Sequence, residues 1–158
     1  MNGKADSTRE YATAAIMRYA SLGCPSRAEY ERRLRSAVYT RLSGKSPEYI
    51  TRAAEAELRK HRALLDDIDA VDRMLRMLRG EIPMRDVDRV SAVRNGEDIA
   101  AAVSYVYFGL CREPLSHRRI AGRVRAYATS LPAAERTVYR WLKYARKLFA
   151  VVRGLTIE

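Results

Sequence analysis

The sequence predicts an all-α protein, on three observations. Apolar residues recur at spacings of three and four along most of the 158 residues, which is the period of a helix face. No stretch carries the period-two alternation or the turn signals of paired strands. Helix-start chemistry recurs in Ser7-Thr8-Arg9-Glu10, in Pro25-Ser26-Arg27-Ala28-Glu29 and in Ser46-Pro47, where hydroxyl, glutamate or proline suits a first turn whose N–H groups lack partners. With 47% hydrophobic residues the chain can bury a real core. The expected arrangement is an N-terminal helical hairpin plus a long helix, then a C-terminal unit of three helices.

The first helix is expected from Thr8 to Leu22, burying Ala12, Ala15, Ile16 and Tyr19, with Gly23 ending it in a left-handed conformation. The second carries Tyr30, Leu34, Val38 and Leu42 and should pair with the first as an antiparallel hairpin. Ser43-Gly44-Lys45 breaks the pattern. A long helix is then expected from Pro47 to Leu78, since neither Gly nor Pro interrupts it before Gly80. Leu64, Ile68, Val71, Leu75 and Leu78 form a heptad-like seam on it, read first as a core stripe and second as a surface for a homo-oligomer. Asp66, Asp67, Asp69 and Asp72 have the makings of a magnesium site. However, Arg62 with Asp66, Asp69 with Arg73 and Asp72 with Arg76 are each four apart, the spacing of exposed helix ion pairs, and that reading is preferred.

Residues 1–80 are thus expected to form a helical region, oligomerising on the second reading of its seam, residues 81–96 a connecting segment punctuated by Pro83 and Asn95-Gly96, and residues 97–158 a C-terminal domain. In the last, a support helix over Glu97 to Tyr107 carries Ile99, Val103 and Val106, with Leu110 beyond. Ser116 opens the next helix, whose inner face is Ile120, Val124, Tyr127 and Leu131, leaving Arg118, Arg119, Arg123 and Arg125 to the other side. After the Ser130-Leu131-Pro132 break, Val138, Trp141, Leu142, Ala145, Leu148, Phe149 and Val152 make an apolar stripe. Arg136, Tyr139, Arg140, Lys143, Arg146 and Lys147 point elsewhere, and Tyr139 and Tyr144 are the two tyrosines expected among exposed cations.

Charge indicates the kind of partner. The net charge is +11 and the pI near 10.0, and from residue 111 onward 11 lysines and arginines face only 3 acidic residues. A polyanion such as double-stranded DNA is favoured, because each phosphate neutralised releases condensed counterions. A reading helix needs polar residues in its first turns, apolar anchors at helical spacing and cations for phosphates. Glu135, Arg136, Thr137 and Tyr139 are the expected base contacts. Ser116, His117, Arg118, Arg119, Arg123, Arg140, Lys143 and Lys147 are the expected phosphate contacts, the first four at a helix start where free N–H groups favour an anion.

Other chemistries lack their residues. No nucleophile stands with a base at recognisable spacing, no Gly-rich phosphate loop is present, and no cofactor or catalytic group is expected. Cys24, His61, Cys111 and His117 are too scattered for zinc, so no metal is expected either. The two cysteines fit neither a disulfide framework nor secretion, and the polar N-terminus lacks the apolar core of a signal peptide, so the expectation is a cytoplasmic protein without a membrane span.

Arg119-Ile120-Ala121 followed by Arg136-Thr137-Val138-Tyr139-Arg140-Trp141-Leu142 and the basic tail resembles the region-four type helix-turn-helix of sigma factors. It is especially similar to the C-terminal segment of phage transcriptional regulators of the RinA and ArpU type. The likeness covers the last quarter to third of the chain. It implies a helix-turn-helix DNA-binding domain over 97–158, sequence-specific binding and control of phage gene expression. The interval from Ala121 to Thr137 exceeds that of a compact helix-turn-helix, so the first helix should extend by about two turns. Two alternatives use the same features: a DNA-packaging protein of the small-terminase kind, and a helical module docking on RNA polymerase.

Overall fold

Short-range capping chemistry sets where most helices begin. The computed structural model describes residues 3–83, 96–131 and 133–155, with side chains from residue 7 onward. Among these residues the chain forms α1 (Gly3–Ser21), α2 (Arg27–Arg41), α3 (Pro47–Lys60), α4 (Arg62–Leu78), α5 (Gly96–Val106), a 3-10 turn (Phe108–Leu110), α6 (His117–Ser130) and α7 (Glu135–Arg153), with no strand. The fold is all-α. Ser26 Oγ accepts from the Glu29 N–H at 3.2 Å while the Glu29 carboxylate accepts from the Ser26 N–H at 3.4 Å, completing a capping box. Ser46 Oγ accepts from the Tyr49 N–H at 3.3 Å ahead of α3, with Pro47 in its first turn. Gly23, at φ +87°, closes α1, and the Cys24 N–H reaches back to the Tyr19 carbonyl at 3.0 Å. By contrast, α1 begins at Gly3, so Ser7-Thr8-Arg9-Glu10 lies inside it and is not its cap; nothing in Lys4-Ala5-Asp6 halts a helix.

Two expectations about the N-terminal half are corrected. The long helix over Pro47 to Leu78 is two helices, because His61 interrupts it at φ −98°, ψ 16°. The His61 ring turns back so that Nδ1 lies 2.9 Å from the Glu57 carbonyl oxygen, which also accepts the His61 backbone N–H at 3.1 Å. The ring therefore shares the Glu57 carbonyl with the backbone N–H at the residue where the helix is interrupted. The hairpin partner of α2 is α3, not α1: α2 lies along α3 and against α4, whereas α1 packs on α4, α7 and the 3-10 turn. The cause is the weak apolar face of α2, where only Val38 is buried and Tyr30, Leu34 and Leu42 are half-buried. It offers too little to cover Ile16 and Tyr19 of α1.

The main core is continuous from α1 through α4 and α5 to α6 and α7. It gathers Ile16 and Tyr19, then Ile68, Val71, Met74, Leu75 and Leu78, then Ile99, Val103 and Val106, and finally Val124, Val138, Leu142 and Phe149. It therefore runs across the expected 81–96 connecting segment, most of which lies outside the described residues. Ile68, Val71, Leu75 and Leu78 are inside this core, so the heptad-like seam is a core stripe. Gly96 marks the tightest crossing. A Cβ there would sit 3.0 Å from the Leu78 carbonyl carbon and closer still to its oxygen, so α5 starts against the end of α4 only because residue 96 has no side chain. Among the described residues no helix is long and apolar enough to cross a membrane.

The acidic residues of α4 join helices together. None of the expected four-apart ion pairs within α4 forms: Asp66 takes Arg27 Nη1 of α2 at 2.8 Å, and Arg76 meets Glu81 at 3.5 Å. Asp67 accepts Arg153 Nε of α7 at 2.8 Å and the Tyr11 hydroxyl of α1, 2.8 Å from both its oxygens. Asp72 accepts from the Tyr19 hydroxyl at 3.4 Å. The carboxylates face neighbouring helices because α1, α2 and α7 converge on that side of α4. Burial, reinforced by Asp67, pushes the Tyr11 phenol above its usual range, and burial with the Asp72 charge does the same to Tyr19. Hydrogen bonds to Asp67 and Asp66 raise Arg153 and Arg27.

Side-chain exposure is 14% for Asp67 and 21% for Arg153, so Asp67→Ala leaves a mostly buried cation with only the more distant Asp66 at 4.0 Å and should cost roughly 2–3 kcal/mol in urea unfolding. Asp66→Ala, at a more exposed pair, should cost about 1 kcal/mol or less. Equal losses would contradict this ranking. Because folding raises the Tyr11 and Tyr19 phenols, their contribution is complete below the unfolded-state pKa of about 10 and is lost as pH rises through the folded-state values. Stability should therefore fall above pH of about 10, and less steeply in Tyr19→Phe.

Candidate nucleic-acid interface

The C-terminal helices are fixed from beneath before they present anything to solvent. Ser116 Oγ accepts from the Arg119 N–H at 3.5 Å and starts α6, which buries Val124 and Tyr127. The last carbonyls of α5 lack partners within their own helix. Arg123 supplies one: its Nε and Nη2 donate to the Tyr105 carbonyl at 3.2 and 2.7 Å, and its guanidinium lies 3.9 Å above the Tyr105 ring. Tyr105 in turn stacks on Tyr127 with ring centroids 4.9 Å apart. Gly109 makes room, since a Cβ there would meet the Arg123 guanidinium carbon at 2.9 Å.

α6 ends at Ser130, and Leu131 is extended at φ −103°, ψ 139°, as a residue before proline tends to be. Pro132 itself lies outside the described residues. α7 then buries Val138, Leu142, Ala145, Leu148 and Phe149, with Phe149 against Tyr11 of α1 at 6.4 Å between ring centroids. The opposite face carries Arg136, Arg140, Lys143 and Lys147 at intervals of four, three and four. All four are exposed, and among the described residues none forms an ion pair with a carboxylate. At 1.5 Å per residue this cationic stripe is about 16 Å long. Tyr139 flanks it at 39% exposure and shares a crevice with Leu115 and His117 from the start of α6, Arg9 of α1 and Arg146.

The expected base-contact residues are thus gathered at the head of α7, but unequally. Arg136 and Tyr139 are open, Thr137 is half-buried, and Glu135, although exposed, leans back to Arg125 of α6 at 3.5 Å. Among the expected phosphate contacts, His117, Arg118, Arg140, Lys143 and Lys147 are exposed and without an ion-pair partner among the described residues. Ser116 is the helix cap, and Arg119 pairs with Glu113 at 2.8 Å. Arg123 is held inside as an anchor rather than left on the surface. Two further residues point inward against expectation: Arg146 Nη1 donates to the Tyr107 hydroxyl at 2.6 Å, and Tyr144 is half-buried against the core. α7 packs on α1, α4, α5 and α6, so its buried arc is wider than one stripe. Arg9, a neighbour of this surface, comes from a helix that no local pattern connects to it.

No family model matches the chain, nor does any curated protein or solved structure.

Arg123→Ala should cost roughly 1–3 kcal/mol of unfolding free energy, the combined loss of a charge-assisted bond and a ring contact. Arg123→Lys should recover only part of it, because an ammonium lacks the two-pronged geometry. Urea unfolding of both variants checks the ordering, and full recovery in the lysine variant would show that charge alone is needed.

Proposed function

We propose that this chain is a sequence-specific double-stranded DNA-binding protein that uses α6 and α7 as a helix-turn-helix, in the manner of a phage-type transcriptional regulator. The observation that carries the reading is the Arg136, Arg140, Lys143 and Lys147 stripe. It is exposed and, among the described residues, without an ion-pair partner, on a helix whose other face lies in the core. Unpaired cations on a rigid helix suit phosphates, and polar residues in the first two turns suit base edges. α6 is 14 residues long, in keeping with the extension that the resemblance requires. In this reading Arg136 and Tyr139 reach bases, with Thr137 beside them. Glu135 joins them only on release from Arg125. Arg140, Lys143 and Lys147 take one run of phosphates, and His117 and Arg118 at the start of α6 take others. The packaging alternative joins the same helix-turn-helix to an oligomerising bundle, and the mass in solution separates the two: a ring-sized oligomer favours packaging, a monomer or dimer regulation. Docking on RNA polymerase through the same basic helix predicts no DNA affinity at moderate salt.

Titration of DNA from the protein's own gene neighbourhood against scrambled DNA, at several salt concentrations, tests the proposal. A regulator should show a specificity ratio of about a thousandfold or more. Arg136→Ala should cost roughly 1–3 kcal/mol at the specific site and relax base preference. Lys147→Ala should weaken all sequences alike and lower the salt slope by about 1. Equal weak binding to both DNAs would remove the sequence-specific claim, and a specificity change in Lys147→Ala without one in Arg136→Ala would move the reading helix.

A further inference from the structure

The α2–α3 hairpin lacks the cover that the other helices have. Its only buried side chains are Val38 and Ala54, and neither belongs to the main core. At its base it is firmly held: Arg27 bonds Asp66 at 2.8 Å, Arg33 Nη1 donates to the Leu22 carbonyl at 2.7 Å, and Tyr30 packs against the core. Its far half is open. Between Glu31 and Glu48 the sequence places Arg32, Arg33, Arg35, Arg41 and Lys45 and no carboxylate. Arg32, Arg35, Arg41 and Lys45 are exposed and, among the described residues, make no ion pair. Tyr39 and Tyr49, at 52% and 55%, are the most exposed large hydrophobic side chains of the described residues.

The geometry points to this hairpin as a second DNA-contacting arm that grips phosphates of the same duplex that α7 reads, an inference that rests on the DNA-binding reading of α7. Charge selects the partner. A second copy of this chain carries +11 and is repelled, whereas a polyanion is attracted. An anionic membrane calls for a broad apolar face beside the cations. Here Leu34, Leu42 and Ile50 are half-buried, and the exposed aromatics are phenols, whose hydroxyls suit phosphate oxygens. Reach is also appropriate. Asp66 lies beside both Arg27 at the root of α2 and Arg153 at the end of α7. From there α2 extends about 21 Å to Arg41, and α7 runs back about 20 Å to Arg140. The two cationic surfaces therefore lie within about 50 Å, and a duplex repeats every 34 Å or so, which allows one DNA molecule to meet both. Once α7 is bound, the tethered arm meets phosphate at high effective concentration.

The test compares the full chain with an arm variant (Arg35→Gln, Arg41→Gln, Lys45→Gln) and a stripe variant (Arg140→Gln, Lys143→Gln, Lys147→Gln) by fluorescence anisotropy on a 24-base-pair duplex and a 24-nucleotide single strand across a salt series. The substituted side chains are exposed, and unchanged circular dichroism verifies the fold. The arm variant should lose about tenfold or more in duplex affinity at low salt. Its salt slope should drop by about 2 to 3 while sequence preference stays that of the parent. An arm variant that binds duplex like the parent while the stripe variant loses affinity would overturn the arm and leave the α7 reading intact. Loss in the arm variant with none in the stripe variant would keep the arm as a DNA contact and overturn the α7 reading. An arm variant impaired only on single strands, or a parent that binds no duplex, would also overturn the proposal.

Discussion

Two neighbouring carboxylates on α4 hold helices from three other parts of the chain in one arrangement. Asp67 takes Arg153 from α7 and the Tyr11 hydroxyl from α1, and Asp66 takes Arg27 from α2. Apolar contacts alone leave a helix some freedom to roll or slide, because many rotations bury a comparable area. Directional charged bonds restrict that freedom, because they are satisfied in few of those rotations. For α7 the consequence is specific. Once Arg153 is fixed on Asp67 and Phe149 is set against Tyr11, helical geometry turns Val138, Leu142 and Ala145 inward, and Arg136, Arg140, Lys143 and Lys147 fall on the far side. The outward stripe depends on an anchor near the other end of the same helix.

How legible this was in the sequence depended on the range of the interaction. Ser26 with Glu29, Ser46 with Pro47, and Gly23 act within one turn, so their residue types reveal the helix ends. Buried stripes such as Ile99, Val103 and Val106 follow from period alone. The partner of a helix does not follow from either. Sequence order suggested pairing α1 with α2, but the strength of each apolar face decided it, and α2 was too polar to close over α1. The interruption at His61 falls at a residue type that no helix-stop pattern marks, with its ring on the Glu57 carbonyl. The aspartates of α4 had two readings, a local ladder and a metal site; the tertiary bonds that formed came from residues 39, 56 and 86 positions away.

The candidate interface shows the same limit at single residues. Arg123 and Arg140 look alike in sequence, each an arginine opposite an apolar stripe. What separates them is that α5 ends just where Arg123 can reach the Tyr105 carbonyl, while among the described residues Arg140 makes no such bond. Composition locates an excess of cations. Only the packed neighbours reveal which of them are already engaged.

That sorting bears on what the surplus charge does. Arg27, Arg119, Arg123, Arg146 and Arg153 are all engaged by carboxylates, a carbonyl or a phenol, and they serve the fold. The cations of the α7 stripe and of the far half of the α2–α3 hairpin form no ion pair among the described residues. Like charges four apart on a helix disfavour it by a few tenths of a kcal/mol per pair, and the summed field of a +11 chain opposes compaction further. α7 tolerates its stripe because its opposite face is buried along most of its length and its end is pinned to Asp67. Salt screens part of that repulsion, and an anion bound along the stripe would lower it further, which is the physical basis of the DNA-binding proposal.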